Sequence, residues 1–445
     1  MMNTNISLEN LNQFEQGFDT NPTNALAMNA VVSNGINAVA TNYQTERRVT
    51  HEFSLSLKQG KVTNQKKSGR CWMFAALNCL RFQVMHKLNL ENFELSQSYL
   101  AFWDKFERCN YFLESILETA ALPTGDRTVM HILSTGVHDG GQWHMFANIV
   151  RKYGVVPKDV YDETYQSSNT RQMNAVLNRA LKAAAQKLRD MVASGADDGA
   201  IQAEKNKVLD SMYGFLCSCY GEPPKAFSFE YVDKDKVYHI EENLTPLTFA
   251  ERYVGDLLEQ IVSIINAPTA DKPYHRTYTI RLLGNVAEGR PVVHLNLTMD
   301  EFKAAIIAQL KAGKVVWFGS DVGHFGERTL GIWDDRSFDF AALTGLSLAM
   351  DKADALDYGL AAMNHAMVLT GVNLDEAGKP TRWKIENSWG DKNGEKGYYV
   401  CSDSWFDQYV FQAAVEREYL GSLADLAAQE PIVLEPWDPM GTLAD

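Results

Sequence analysis

Residues 65–72 read QKKSGRCW, and this stretch decides the fold. Gln65 stands six residues ahead of Cys71, which opens the segment CWMFAALNCLRFQVMHKL. That segment is apolar on nearly every face (Trp72, Met73, Phe74, Leu77, Leu80, Phe82, Val84, Met85) and predicts a buried helix. Cys71 falls in its first turn, where the partial positive charge of a helix N-terminus favours a thiolate. Gly69 just before it permits a tight turn and close backbone approach. Downstream, NHAMVLTGV carries His365 and WKIENSWG carries Asn387, both in runs that predict strands.

These four residues supply what thiol-dependent acyl transfer requires. Cys71 would be the nucleophile and His365 the base that also protonates a leaving amine. An imidazolium beside a thiolate can lower a cysteine pKa to roughly 3–4. Asn387 would accept the ring N–H and hold the imidazole, with Trp389 covering that bond. The Gln65 amide and the Cys71 N–H would face the developing oxyanion, where one donor contributes about 3–4 kcal/mol. Taken singly, a Cys is ordinarily a small buried hydrophobe and a strand His a satisfied core residue. The order and neighbours of all four carry the inference.

QxxxGxCW, NHAMVLTGV and WKIENSWG resemble the papain-like cysteine peptidases. The longer strings VTNQKKSGRCWMFAALN, DGGQW and EPWDPMGTLA resemble the branch containing bleomycin hydrolase and bacterial aminopeptidase C. The resemblance covers all but about the first forty residues. It implies an α+β, two-lobed fold with a helical lobe, a β-barrel-like lobe, large helical insertions and a C-terminal arm. It also implies that Gly140 and Gly141 present backbone to an extended substrate, although a Gly-Gly pair is otherwise an ordinary turn. Ala444 matches the usual last residue of the arm, so Asp445 is an extension. The resemblance further implies a homohexamer with active sites facing an internal channel.

The chain departs from the smaller secreted papains. They carry a disulfide-bonded Cys three residues before the nucleophile, where this chain has Ser68. The Cys–His interval is 365 − 71 = 294 residues, against about 130–150 in the secreted enzymes. A large insertion therefore separates the two catalytic segments.

Composition limits the function classes. At 445 residues, 45% hydrophobic and 22% charged, the chain has the make-up of a soluble globular protein with two or three cores. No apolar run approaches a membrane span and the N-terminus lacks a secretory pattern. Six scattered cysteines show no disulfide framework, which fits a reducing cytoplasm. Cys217-x-Cys219 is a weak metal signal, read as two thiols on one helix. No metal or other cofactor is expected. A net charge of −14 opposes general nucleic-acid binding.

Along the chain, we expect residues 1–60 to pack on the catalytic core and 61–165 to form the helical lobe. Residues 166–268 read as a mainly helical insertion, 269–415 as the β-rich lobe and 416–445 as the arm. Within the insertion, Met173, Leu177, Leu181, Ala184 and Leu188 recur at helical spacing. Breaks near Gly195 and Asp197-Asp198-Gly199 precede a second helix, giving an antiparallel pair expected to pack on its own lobe. The arm holds seven carboxylates against Arg417 alone. A frayed terminus is the ordinary reading, but Trp437 and Met440 argue for a docked one.

The expected activity is a thiol aminopeptidase acting on peptides. The rival on the same scaffold is an oligopeptide endopeptidase, which needs a shorter or displaced arm. Transglutaminase-like acyl transfer ordinarily orients its base with Asp, where this chain has Asn387. A scaffold or nucleic-acid-binding role would leave the catalytic set vestigial.

Overall fold

The computed structural model describes residues 5–444. The helix predicted from Cys71 runs Cys71–Lys87, and thirteen of its side chains are buried. It lies against the strand His365–Leu374 on one side and the helix Gln97–Glu118 on the other. That placement explains an all-round apolar sequence, since no face is left for water. Ser96 caps Gln97–Glu118 by accepting the Tyr99 N–H at 3.0 Å. Trp103 stacks on Tyr153 of a later helix, Trp143–Tyr153, at 3.9 Å.

The insertion helices run Thr170–Ala193 and Asp198–Tyr220, with Asp197 capping the second through the Ala200 N–H at 2.9 Å. Met173, Leu177, Leu181, Ala184 and Leu188 are buried, and both helices pack on Gln97–Glu118 of their own lobe. The insertion also holds a two-stranded hairpin, Phe227–Val232 with Tyr238–Leu244.

A twelve-stranded sheet forms the other lobe. Its central strands run in the order Ile261–Ile265, Val410–Glu416, Val316–Ser320, His365–Leu374, Pro380–Glu386, Tyr398–Ser402, each antiparallel to the next. Ile261–Ile265 precedes the expected boundary at 269. Its IVSII run is too short for periodicity to separate strand from helix, and pairing of Ile264 with Ala413 decides the matter.

The expectation for residues 1–60 also needs correction. Leu8–Thr20 and Pro22–Asn34 bury no residue. Leu8, Phe14, Leu26 and Val32 stand exposed. Docking starts near residue 40, where the Asp339 N–H meets Ala40 O at 2.7 Å and the Asn42 N–H meets Ser337 O at 2.8 Å. Leu55–Ser56 then joins the sheet beside Gly371 and Val372. An apolar stripe records that a surface seeks cover, not whether that cover lies in the same chain. Among the described residues, no helix is long and apolar enough to cross a membrane.

Two buried histidines bear on stability. The His144 and His294 rings lie 6.4 Å apart. His294 Nδ1 pairs with Ser263 Oγ at 2.8 Å, while His144 Nδ1 and His294 Nε2 find no partner among the described residues. Burial, then Arg151 and Arg290, pushes His144 down to about 4. Burial, then His144, pushes His294 down to about 3. Both values fall below the unfolded value of about 6.5, so the fold requires neutral rings. Their stabilisation is complete above pH ~6.5 and is lost as pH falls through the folded values. At about 1.4 kcal/mol per pKa unit, protonating each buried ring costs on the order of 3 kcal/mol. We expect the urea midpoint to fall steeply between pH ~6.5 and ~4, and His144→Gln to reduce that slope. Equal slopes in the two proteins would refute the assignment.

Candidate active site

Cys71 is buried at the first position of its helix. Arg70 precedes it with no side-chain cap, and the Cys71 and Trp72 N–H groups lie toward the sulfur. His365 opens the strand that packs against this helix. The next residue, Ala366, donates its N–H to Cys71 Sγ at 3.4 Å. This contact brings together two segments 294 positions apart.

His365 Nε2 pairs with Asn387 Oδ1 at 2.9 Å. The Ser388 N–H donates to the same oxygen at 2.7 Å, which fixes the amide with its oxygen toward the ring. Nε2 therefore carries the hydrogen, leaving Nδ1 for the thiol. Trp389 stacks on His365 with centroids 4.7 Å apart. Arg328 lies over the indole, 4.3 Å from its centroid.

Gln65 is buried and held at both ends of its amide. Its Nε2 donates to Ser68 O at 2.6 Å, and its Oε1 accepts from Ser388 Oγ at 2.6 Å. Its second Nε2 hydrogen remains for an oxyanion. The Gln65 N–H donates to Ser388 O at 2.8 Å and the Gly390 N–H to Thr63 O at 3.0 Å. The loop before the thiol is thus laced to the NSWG turn of the other lobe. The Ser388 hydroxyl thus sets the Gln65 orientation, a role that the NSWG pattern alone does not show.

Burial works against the expected ion pair. Burial pushes the Cys71 thiol up to about 11, against hydrogen bonds from Ala366, Trp72 and its own N–H. Burial pushes His365 down to about 4, opposed by the Asn387 bond and assisted by Arg328. In this closed site desolvation outweighs the helix N-terminus. The ring takes the thiol proton as attack proceeds.

The glycine pair is occupied by the chain itself. Gly140 O accepts from Arg108 Nη2, and the Gly141 N–H donates to Leu443 O at 2.9 Å. A Cβ at Gly141 would lie 2.4 Å from the Trp72 indole, so only glycine fits between ring and arm. The arm docks throughout its last stretch. Ile432–Leu434 pairs with Thr277–Ile280. Arg127 lies 3.7 Å from the Trp437 ring centroid, and Asp438 makes a buried ion pair with Lys272 at 2.9 Å. Met440, Leu443 and Ala444 are buried. Leu443 sits beside Gly319, where an added Cβ would be 3.3 Å from its Cδ2. Gly319 in turn pairs with Ala366. Ala444 is the last residue of this arm to be described; Asp445 lies outside the described residues. Among the described residues, no group of three or more His, Cys, Asp or Glu side chains is placed to hold a metal ion.

A thiol on a buried helix, facing a histidine and asparagine on a neighbouring sheet, defines the papain-like class of cysteine peptidase, and the chain belongs to the Peptidase C1-like family, matched over residues 5–441. It is 48% identical to "Aminopeptidase C" of Streptococcus thermophilus, over 99% of both chains. It is 39% identical to human "Bleomycin hydrolase", over 100% of both. A crystal structure of PepW from Lactobacillus rhamnosis superposes with a TM-score of 0.97 at 50% identity, covering 99% of each chain.

The geometry separates the expected effects of substitution. Cys71→Ala should abolish peptide hydrolysis while leaving the fold intact, with wild-type melting as the control. His365→Ala should be equally damaging, because the ring both takes and returns the proton. Asn387→Ala should be milder, since it only orients. General acid–base assistance is about 10²–10⁴-fold. An Asn387 variant slower than the His365 variant would reverse the assigned roles.

Proposed function

We infer that this chain is a thiol-dependent aminopeptidase that releases N-terminal residues from peptides. Cys71 attacks the scissile carbonyl, forming an acyl-enzyme as its proton passes to His365. Gln65 and the Cys71 N–H receive the oxyanion. The histidine then protonates the leaving amine, and water completes hydrolysis. The names of the relatives support the activity.

One observation carries the exopeptidase reading: the hydrogen bond from the Gly141 N–H to Leu443 O. The arm fills the cleft beside the thiol, so a substrate can extend only one residue beyond the cut on that side. A chain end can also pair with the free α-ammonium of a substrate. Hydrogen bonds to charged groups contribute roughly 1.5–3 kcal/mol each, which favours free N-termini by about one to two orders of magnitude. The endopeptidase reading needs an open cleft at this position.

Asp445 extends one residue past the buried Ala444. We propose that the enzyme removes it, because another residue would crowd the thiol. Intact mass should then show loss of one Asp from the wild type and not from Cys71→Ala. We further propose a cytoplasmic homohexamer. The apolar face exposed on Leu8–Asn34 supports self-association, and replacing Phe14 and Leu26 by Ser should shift the mass in light scattering to smaller species.

Deleting residues 442–445 should lower release of N-terminal residues at least tenfold and open N-blocked peptides to cleavage. A truncated enzyme that keeps full exopeptidase activity and still refuses blocked peptides would remove the arm from the mechanism.

A further inference from the structure

Asp139 begins the DGGQW motif, and its neighbours have so far been described only through the two glycines after it. Its carboxylate is buried and accepts from four groups on three separate segments. Oδ2 accepts the Gly69 N–H at 2.8 Å and the Thr170 hydroxyl. Oδ1 accepts Lys105 Nζ at 2.7 Å and Asn174 Nδ2 at 2.9 Å. Its main-chain oxygen accepts Trp72 Nε1 at 2.6 Å. Gly69 and Trp72 flank the nucleophile on either side. Thr170 and Asn174 open the insertion, and Lys105 comes from the helix Gln97–Glu118.

The bonds fall where a covalent link is missing. Secreted papains brace the loop before the nucleophile with a disulfide, whereas this chain has Ser68 and all six cysteines are free. Gly69 also approaches so closely that a Cβ there would lie 2.9 Å from Asp139 Cβ. The loop carrying Gln65 and Cys71 is therefore gripped from below by a carboxylate, in contact with the segment that carries Gly141.

We propose that Asp139 is a positioning residue for the reaction: a buried carboxylate that holds the Gly69 turn, Lys105 and the insertion together and thereby sets Cys71 and the oxyanion donors in register with the glycine pair. The residue touches neither thiol nor substrate. Its charge survives because Lys105 and the hydrogen bonds from Asn174, Lys105 and Thr170 outweigh the burial that opposes it. The charge also disfavours a thiolate at Cys71. Removing it therefore has two opposite effects: the thiol ionises more easily, and catalysis becomes slower.

This rests on the peptidase reading, and the test keeps the two apart. Asp139→Asn is nearly isosteric, and Thr170→Val removes one hydrogen bond without changing charge. For each full-length variant we would measure turnover of an aminoacyl fluorogenic amide, melting temperature, and the pH dependence of Cys71 alkylation by iodoacetamide. Asp139→Asn should lose at least tenfold in kcat with KM changed less than threefold. Its alkylation midpoint should move to lower pH by half a unit or more. Thr170→Val should lose a few-fold in kcat with an unmoved midpoint. A folded Asp139→Asn protein with wild-type kcat per alkylatable Cys71, or with an unmoved midpoint, overturns the proposal. Turnover persisting in Cys71→Ala would instead overturn the peptidase reading. The alkylation profile needs no substrate, so it tests Asp139 in either case.

Discussion

The contact between the helix Cys71–Lys87 and the strand His365–Leu374 is the constraint on which the rest of the molecule depends. A thiol and an imidazole must meet across 294 positions of sequence, and side chains alone would not hold them. The meeting is made by rigid elements. Ala366 N–H reaches the sulfur at 3.4 Å, and Trp317 Nε1 reaches Trp72 O at 3.0 Å. Deeper in the same seam, Arg81 of the helix forms an ion pair with Glu386, the residue before Asn387. Burial raises the Glu386 carboxyl to about 7, against the pull of Arg81. Such a pair adds little to net stability, but breaking one partner is costly, so it specifies how the lobes meet.

Much of this was legible in the sequence because chemistry and geometry impose the same pattern. An acyl-transfer thiol needs a helix start, a base and an orienting amide, and QKKSGRCW, NHAM and ENSWG declare all three. The strands around His365 and Asn387 were equally plain, one a largely apolar run and the other, TRWKIE, alternating polar and apolar residues. Other features were hidden for physical reasons. Ile261–Ile265 is too short to show a period, and the hairpin Phe227–Leu244 is half-exposed, which blurs its alternation. The exposure of apolar residues on Leu8–Thr20 and Pro22–Asn34 has no signature in their sequence.

Electrostatics was the least legible part. A helix N-terminus and a neighbouring histidine both argue for a thiolate, and burial opposes both. Burial belongs to the assembled fold and has no signature in eight residues. The same is true of Asp139 and Ser388. Each sits in a motif that was recognised, but a carboxylate or hydroxyl declares its role only when its partners arrive from distant segments. Asp139 gathers Lys105, Thr170 and Asn174, residues that no local spacing connects to it.

The docked arm makes the enzyme its own first ligand. Leu443 O already holds the Gly141 N–H, and it does so from a tether anchored by the Lys272–Asp438 pair. A tethered group of this kind acts at an effective concentration in the millimolar range. A free peptide present at micromolar levels competes poorly for that donor, however well its sequence matches the cleft. A cleft filled in this way favours a chain end before it discriminates between side chains.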